Sequence, residues 1–140
     1  METNSFRVAI VQAAPIVFNK PETVDKVVSL IRTCAKKDPK LILFPESFIP
    51  AYPRGLDFGA VVGSRSEEGR KLWQRYHENA IELPGPETIE IGKAVKDAGA
   101  FTAIGVSEKD SISRSLFCSI AYFSPHGNFI GKHRKIKPTG

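Results

Sequence analysis

Cysteine is scarce in this chain: Cys34 and Cys118 are the two present, and no CxxC pair occurs. That count argues against a disulfide-stapled secreted scaffold and leads us to expect a reducing, cytoplasmic setting. The opening METNSFRVAI has no basic n-region, long apolar stretch or small-residue cleavage site, so no secretory leader is expected. No run approaches the roughly 18 apolar residues that a membrane span requires, and no membrane partner is expected. Also missing are a Gly-rich phosphate loop, a GxSxG elbow, internal repeats and low-complexity segments. The three histidines, His77, His126 and His133, lack the spacing of zinc ligands.

Charge of one sign is in excess, but only locally. The chain has 20 basic and 15 acidic residues, a net charge of +5. Four of the basic residues, Lys132, Arg134, Lys135 and Lys137, lie in GKHRKIKP; setting these four aside leaves 16 basic against 15 acidic. The basicity is therefore one cluster and not a surface-wide field of the kind that gathers nucleic acid. No aromatic residue interleaves with it, so base stacking lacks a platform and no nucleic-acid partner is expected. With 41% hydrophobic and 25% charged residues over 140 positions, the composition is that of one ordinary globular domain.

Strand and helix alternate along the chain. FRVAIVQAA, residues 6–14, is a short apolar run closed by Pro15 and predicts a buried strand. A helix follows: Asn19 with Glu22 resembles a capping box, Pro21 suits a first turn, and Val24, Val27, Val28, Ile31, Cys34 and Ala35 recur at helical spacing until KKDPK stops them. LILF, residues 41–44, predicts a second buried strand that Pro45 must end, because proline cannot donate to a sheet ladder. Residues 49–65 read as loop, broken by Pro50, Pro53, Gly55, Gly59 and Gly63. SEEGRKLWQRYHENAI predicts a helix ended by LPGP, and ETIEIGKAVKDAG a shorter one capped by Gly99. AFTAIGV and SLFCSIAYF predict strands, SPHGN a turn, and FIGKHRKI a further extended segment. VAIV and LILF are apolar at consecutive positions, so both sheet faces should be covered. Three helices cannot cover both faces of five strands, and a longer chain or another subunit is expected to pack on the second face.

Two residues stand out chemically. Glu46 follows LILFP, just past a strand's carboxyl end, where open α/β sheets place their active sites. Beside Phe44 and Phe48, partial desolvation would raise its pKa and suit it to general acid or base work; the alternative is a loop glutamate paired with a surface lysine. Lys135 belongs to the basic cluster, which by composition reads as a solvated face. Carried into a low-dielectric pocket, it would instead stabilise the negative charge of a tetrahedral intermediate. Such a pair still needs a nucleophile. Cys34 is in register with the apolar stripe of the first helix, and Cys118 shares strand parity with Leu116, Ile120 and Tyr122, so both read as small core residues.

LILFPESFIPAYP resembles the first signature of the nitrilase branch of the carbon–nitrogen hydrolases, in which an apolar strand leads to F-P-E, an aliphatic residue and G-Y-P. The resemblance continues through YPRGLDFGAVVGSRSEEGR, YHENAIELPGPE, AIGVSEKD and FSPHGNFIGKHRKIKPT. It covers residues 6–139 with several motifs in order. Departures are Ala51 where the signature has Gly, Asp38 and Pro39 where Gly-Ala is usual, and DSISRS where many members have an Asp-Gly turn. Ala51 strains the local backbone if that position requires a positive φ.

The resemblance implies an α/β fold, the N-terminal half of a nitrilase-like α-β-β-α sandwich, with a carbon–nitrogen hydrolase domain over residues 6–140 that is incomplete at its C-terminus. By the same resemblance Glu46 is the general base, Lys135 the lysine that stabilises the tetrahedral intermediate, and Tyr52 lies beside the substrate pocket. The family's nucleophile is a cysteine in a C-W-E type motif after a later strand, a motif absent from these residues; SLFCS corresponds to a different strand, so no nucleophile is expected in this chain. The implied reaction converts a nitrile to a carboxylic acid and ammonia without metal or organic cofactor: thiolate attack gives a thioimidate, water adds, ammonia leaves and the acyl-enzyme is hydrolysed. The 140 residues alone are then expected to be inactive. Alternatives are a hydratase or amidase of the same superfamily and a catalytically silent subunit. The implied partners are a small nitrile and further copies in a homo-oligomer or a full-length homologue.

Overall fold

The computed structural model describes residues 5–59 and 66–137. Within them the elements run β1 (Val8–Ile10), α1 (Lys20–Ala35), β2 (Leu41–Leu43), α2 (Glu67–Asn79), α3 (Pro86–Ala98), β3 (Phe101–Lys109), β4 (Leu116–Phe123) and β5 (Phe129–Arg134). The strands form one sheet in sequence order. β1, β2 and β3 are parallel, and β4 and β5 add on as antiparallel strands.

The element boundaries have local causes. Asn19 Oδ1 accepts a hydrogen bond from the Glu22 amide at 3.2 Å and starts α1. Ser66 Oγ does the same for α2, accepting from the Gly69 amide at 3.0 Å. α3 closes on Gly99 at φ 62°, a left-handed turn that costs glycine no Cβ clash. The strand predicted over residues 6–14 is shorter than expected. Its partner β2 is only three residues long and is cut off by Pro45, so the ladder runs from Val8 opposite Leu41 to Ile10 opposite Leu43. One further bond, from the Val11 amide to the Leu43 carbonyl at 2.8 Å, closes it. β3 is longer than AFTAIGV, because Ile49 and then Ile81 pair with its free edge beyond β2, at Val106 and Glu108. Gly63 and Arg65 of the predicted loop, and Pro138 and Thr139 of the last motif, lie outside the described residues.

Side-chain alternation then divides the sheet into two unlike faces. On one, α1 contributes Val24, Val27 and Ile31 and α3 contributes Ile91, Ala94 and Val95 to a buried cluster with Ile42, Ile104, Val106, Ala121 and Phe123. On the other face lie Val8, Ile10, Phe101, Ile120 and Tyr122, with Ile10 77% and Phe101 50% exposed. The second face is thus open over β1 and β2 and much of β4, as the helix count predicts. Helix α2 reaches only its far end, where Tyr76 Oη shares a 2.6 Å hydrogen bond with Ser107 Oγ. Tyr76, Phe18 and Ala51 form a small separate core there, flanked by Phe58, Leu72 and Leu116.

Candidate active site

Beyond the carboxyl end of β2 the chain turns through Pro45 onto the open face of β3. The Phe48 amide donates to the Gly105 carbonyl at 2.7 Å. A Cβ on Gly105 would sit 2.2 Å from the Pro45 carbonyl oxygen and 2.6 Å from Glu46 Cα, so the absence of a side chain at 105 is what lets Glu46 lie against the sheet. From the other side, the Lys135 amide donates to the Cys118 carbonyl at 2.8 Å, which fixes the residue just after β5. Its side chain reaches the same spot: Lys135 Nζ donates to Glu46 Oε1 at 2.8 Å, joining residues 89 apart in sequence. The Cys118 thiol donates to that same oxygen at 3.2 Å, and Ser47 Oγ lies 3.6 Å from the sulfur.

A cavity of about 980 Å³ opens over these groups, with Tyr52, Arg54, Phe58, Tyr76 and Phe117 in its wall. Tyr52 lines this cavity. The ionisation of Glu46 runs opposite to the burial argument. Its carboxyl is held below the ordinary value, first by the Lys135 hydrogen bond and then by the Cys118 thiol, and desolvation is the smaller, opposing effect. The reason is that Glu46 remains half exposed, so its neighbours outweigh its burial. Lys135 is raised correspondingly by Glu46.

The reading of Cys118 as a core residue is corrected by the structure. Its parity with Leu116, Ile120 and Tyr122 is real, but that parity is the open face and the cavity wall, not the helix-covered core. Cys34 does pack against the main core, and desolvation raises its thiol.

A second polar cluster escaped the sequence reading. Glu108, 1% exposed, accepts from Ser119 Oγ at 2.7 Å and from the side chains of Lys132 and Arg134. Arg134 also pairs with Asp110 at 2.8 Å and lies 4.0 Å over the Phe117 ring. Desolvation pushes the Glu108 carboxyl up, but the hydrogen bonds from Arg134, Lys132 and Ser119 together bring it below the ordinary value. The signal was present: Glu108 has the parity of Ile104 and Val106, and a carboxylate on a covered sheet face needs cations. Lys132 and Arg134 alternate in phase to supply them. Three members of the basic cluster are thereby spent on carboxylates, Lys132 and Arg134 on Glu108 and Lys135 on Glu46.

The model of the carbon-nitrogen hydrolase family matches residues 7–140. The chain belongs to that family. Among curated relatives, nitrilase 1 of Arabidopsis thaliana is 41% identical over 137 residues, covering 98% of this chain and 39% of the relative. An aliphatic nitrilase of Sinorhizobium fredii is 42% identical over 135 residues, 96% of this chain and 43% of its own. The chain thus spans about two fifths of the length of these relatives. An amidase from Nesterenkonia sp. superposes with a TM-score of 0.65 at 14% identity, over 96% of this chain and 44% of that one. The mixed α/β sheet described above is accordingly the N-terminal half of the nitrilase-superfamily fold. Among the described residues no group of three or more His, Cys, Asp or Glu could hold a metal ion, and no helix is long and apolar enough to cross a membrane.

Proposed function

We propose that this chain supplies the base and the cationic stabiliser of a nitrile-hydrolysing site, with Glu46 as base, Lys135 as stabiliser and Tyr52 in the substrate pocket. The observation that carries the reading is the 2.8 Å contact between Lys135 Nζ and Glu46 Oε1 at the wall of the cavity. A carboxylate kept ionised by an adjacent ammonium accepts a proton from an attacking thiol and later from water. The ammonium opposes the negative charge that grows on the substrate nitrogen or oxygen. The nucleophilic thiol comes from sequence outside these 140 residues, and the sequence needs no cofactor for this chemistry. The identity to named nitrilases, 41 to 42%, favours a nitrile over an amide as substrate. A bifunctional nitrilase/nitrile hydratase of Nicotiana tabacum is 37% identical over 98% of this chain, which supports a second outcome in which hydration stops at the amide. Both cysteines are free thiols, in keeping with a cytoplasmic setting.

The test joins residues 1–140 to the remaining length found in the relatives and follows ammonia, acid and amide released from a panel of nitriles. The joined protein should turn over, with Glu46→Gln and Lys135→Met each losing at least a hundredfold. The 140 residues alone should release no ammonia above a Glu46→Gln control. Turnover by the 140 residues alone, or a joined and folded protein that ignores both substitutions, overturns the proposal; a joined protein that folds but is silent makes the chain an associating subunit.

A further inference from the structure

We propose that Cys118 is a positioning residue for Glu46: its thiol donates a hydrogen bond to Oε1 and fixes where the carboxylate points. The geometry gives Glu46 Oε1 two donors, Lys135 Nζ at 2.8 Å and Cys118 Sγ at 3.2 Å. They differ in what they can specify. A lysine is a point charge on a flexible four-carbon stem, so it attracts the carboxylate without fixing its rotation. Cys118 has a one-carbon stem on a strand paired on both sides: it sits opposite Ser107 of β3, and its carbonyl holds the Lys135 amide. The sulfur therefore has little freedom, and the carboxylate must come to it. With Oε1 doubly bound, Oε2 is left for the incoming thiol or water.

The proton belongs on sulfur in this arrangement. Desolvation pushes the Cys118 thiol up; the Ser47 hydroxyl pulls the other way, the hydrogen bond to Glu46 and the Glu46 charge add to the rise, the Lys135 charge opposes it, and the net direction is upward. Glu46 is meanwhile held down by Lys135 and Cys118. Transfer of the proton from Cys118 to Glu46 is uphill, so this thiol acts as a donor and not as an attacking thiolate. The groups facing the pair are Lys135 after β5, Tyr52 and Arg54 from the loop after β2, and Tyr76 from α2. The importance of Glu46 orientation for turnover rests on the function proposed above. The linkage between the two side chains does not, and it can be read without any substrate.

Two measurements test it, both in a Cys34→Ala background so that Cys118 is the one thiol. Ultraviolet thiolate absorbance against pH gives the Cys118 midpoint, and carbon NMR of the labelled carboxyl gives that of Glu46. Because coupling between two sites is reciprocal, Glu46→Gln should lower the Cys118 midpoint, and Cys118→Ala should raise the Glu46 midpoint while Cys118→Ser restores it. An unmoved Glu46 midpoint in a Cys118→Ala chain with native circular dichroism overturns the proposal. If Cys118→Ala does not fold, the thiol titration in Glu46→Gln decides alone, and no shift there overturns it equally. Rapid alkylation of Cys118 at neutral pH that is lost in Glu46→Gln also overturns it, because the sulfur would then be a nucleophile served by Glu46. Linked titrations in a chain whose joined form cleaves no nitrile would leave the positioning role standing and remove the proposed function.

Discussion

Ala51 occupies a backbone conformation that suits glycine. Its φ is 134° and it is 2% exposed, buried in the small core with Phe18 and Tyr76 one residue before Tyr52 of the pocket. An L-residue held at such an angle costs on the order of 1 to 3 kcal/mol, and the surrounding packing must enforce it. Ala51→Gly should remove most of that strain, against a loss of roughly 0.4 to 1 kcal/mol from the freer unfolded chain and the lost methyl contact. The expected result is a gain of about 1 kcal/mol, seen as a higher urea midpoint with unchanged slope at matched protein concentration. A lower midpoint would mean that the methyl packing outweighs the strain. This position was legible beforehand, because the resemblance placed glycine there and φ > 0 is the physical reason for glycine. The direction of the Glu46 pKa was not legible, since it depends on which cation arrives from 89 residues away.

At the scale of elements, β3, β4 and β5 form an antiparallel unit tied by Glu108 as well as by its ladders. Removing one partner of a buried ion pair costs about 3 to 5 kcal/mol. Lys132 and Arg134 keep about a third of their side chains in water, so part of that loss is recovered. Glu108→Gln should therefore destabilise by roughly 2 to 4 kcal/mol at neutral pH. The sign with pH follows from the depressed carboxyl. Its contribution is complete above the unfolded value near 4.5 and is lost as pH falls through the lower folded value. The gap between wild type and Glu108→Gln, read by denaturant unfolding, should close in acid; a gap that persists would make the loss one of packing and not of charge. The elements themselves were largely legible: the caps at Asn19 and Gly99 and the break at Pro45 are local signals, and the structure keeps them. The strand lengths were not, because β1 ends where its partner ends and β3 continues where Ile49 and Ile81 happen to pair. Cys118 shows the same limit, since parity tells which residues share a face and not whether that face is covered.

At the scale of the whole molecule, α1 and α3 form a layer on one face of the sheet, α2 covers only the far end of the other, and that other face is bare over β1 and β2 among the described residues. Val8, Ile10, Phe101, Ile120 and Tyr122 are each at least 36% exposed there, beside the partly covered Leu41 and Leu43. Soluble monomers rarely show contiguous apolar patches beyond a few hundred Å². A net charge of +5 does little to keep two such faces apart, because Lys132, Arg134 and Lys135 are paired with carboxylates and screening falls within about 8 Å at physiological salt. The isolated 140 residues should therefore self-associate and bind a dye for apolar surface. Ile120→Lys and Phe101→Lys, on the open face and away from the helix core, should shift sedimentation toward monomer without unfolding the chain. Joining the remaining length found in the relatives should suppress both association and dye binding if that length packs on this face. A 140-residue chain that stays monomeric at high concentration, unfolds cooperatively and binds no dye would show that these strands need no cover. The consecutive apolar residues of β1 and β2 would then require another explanation than a second layer.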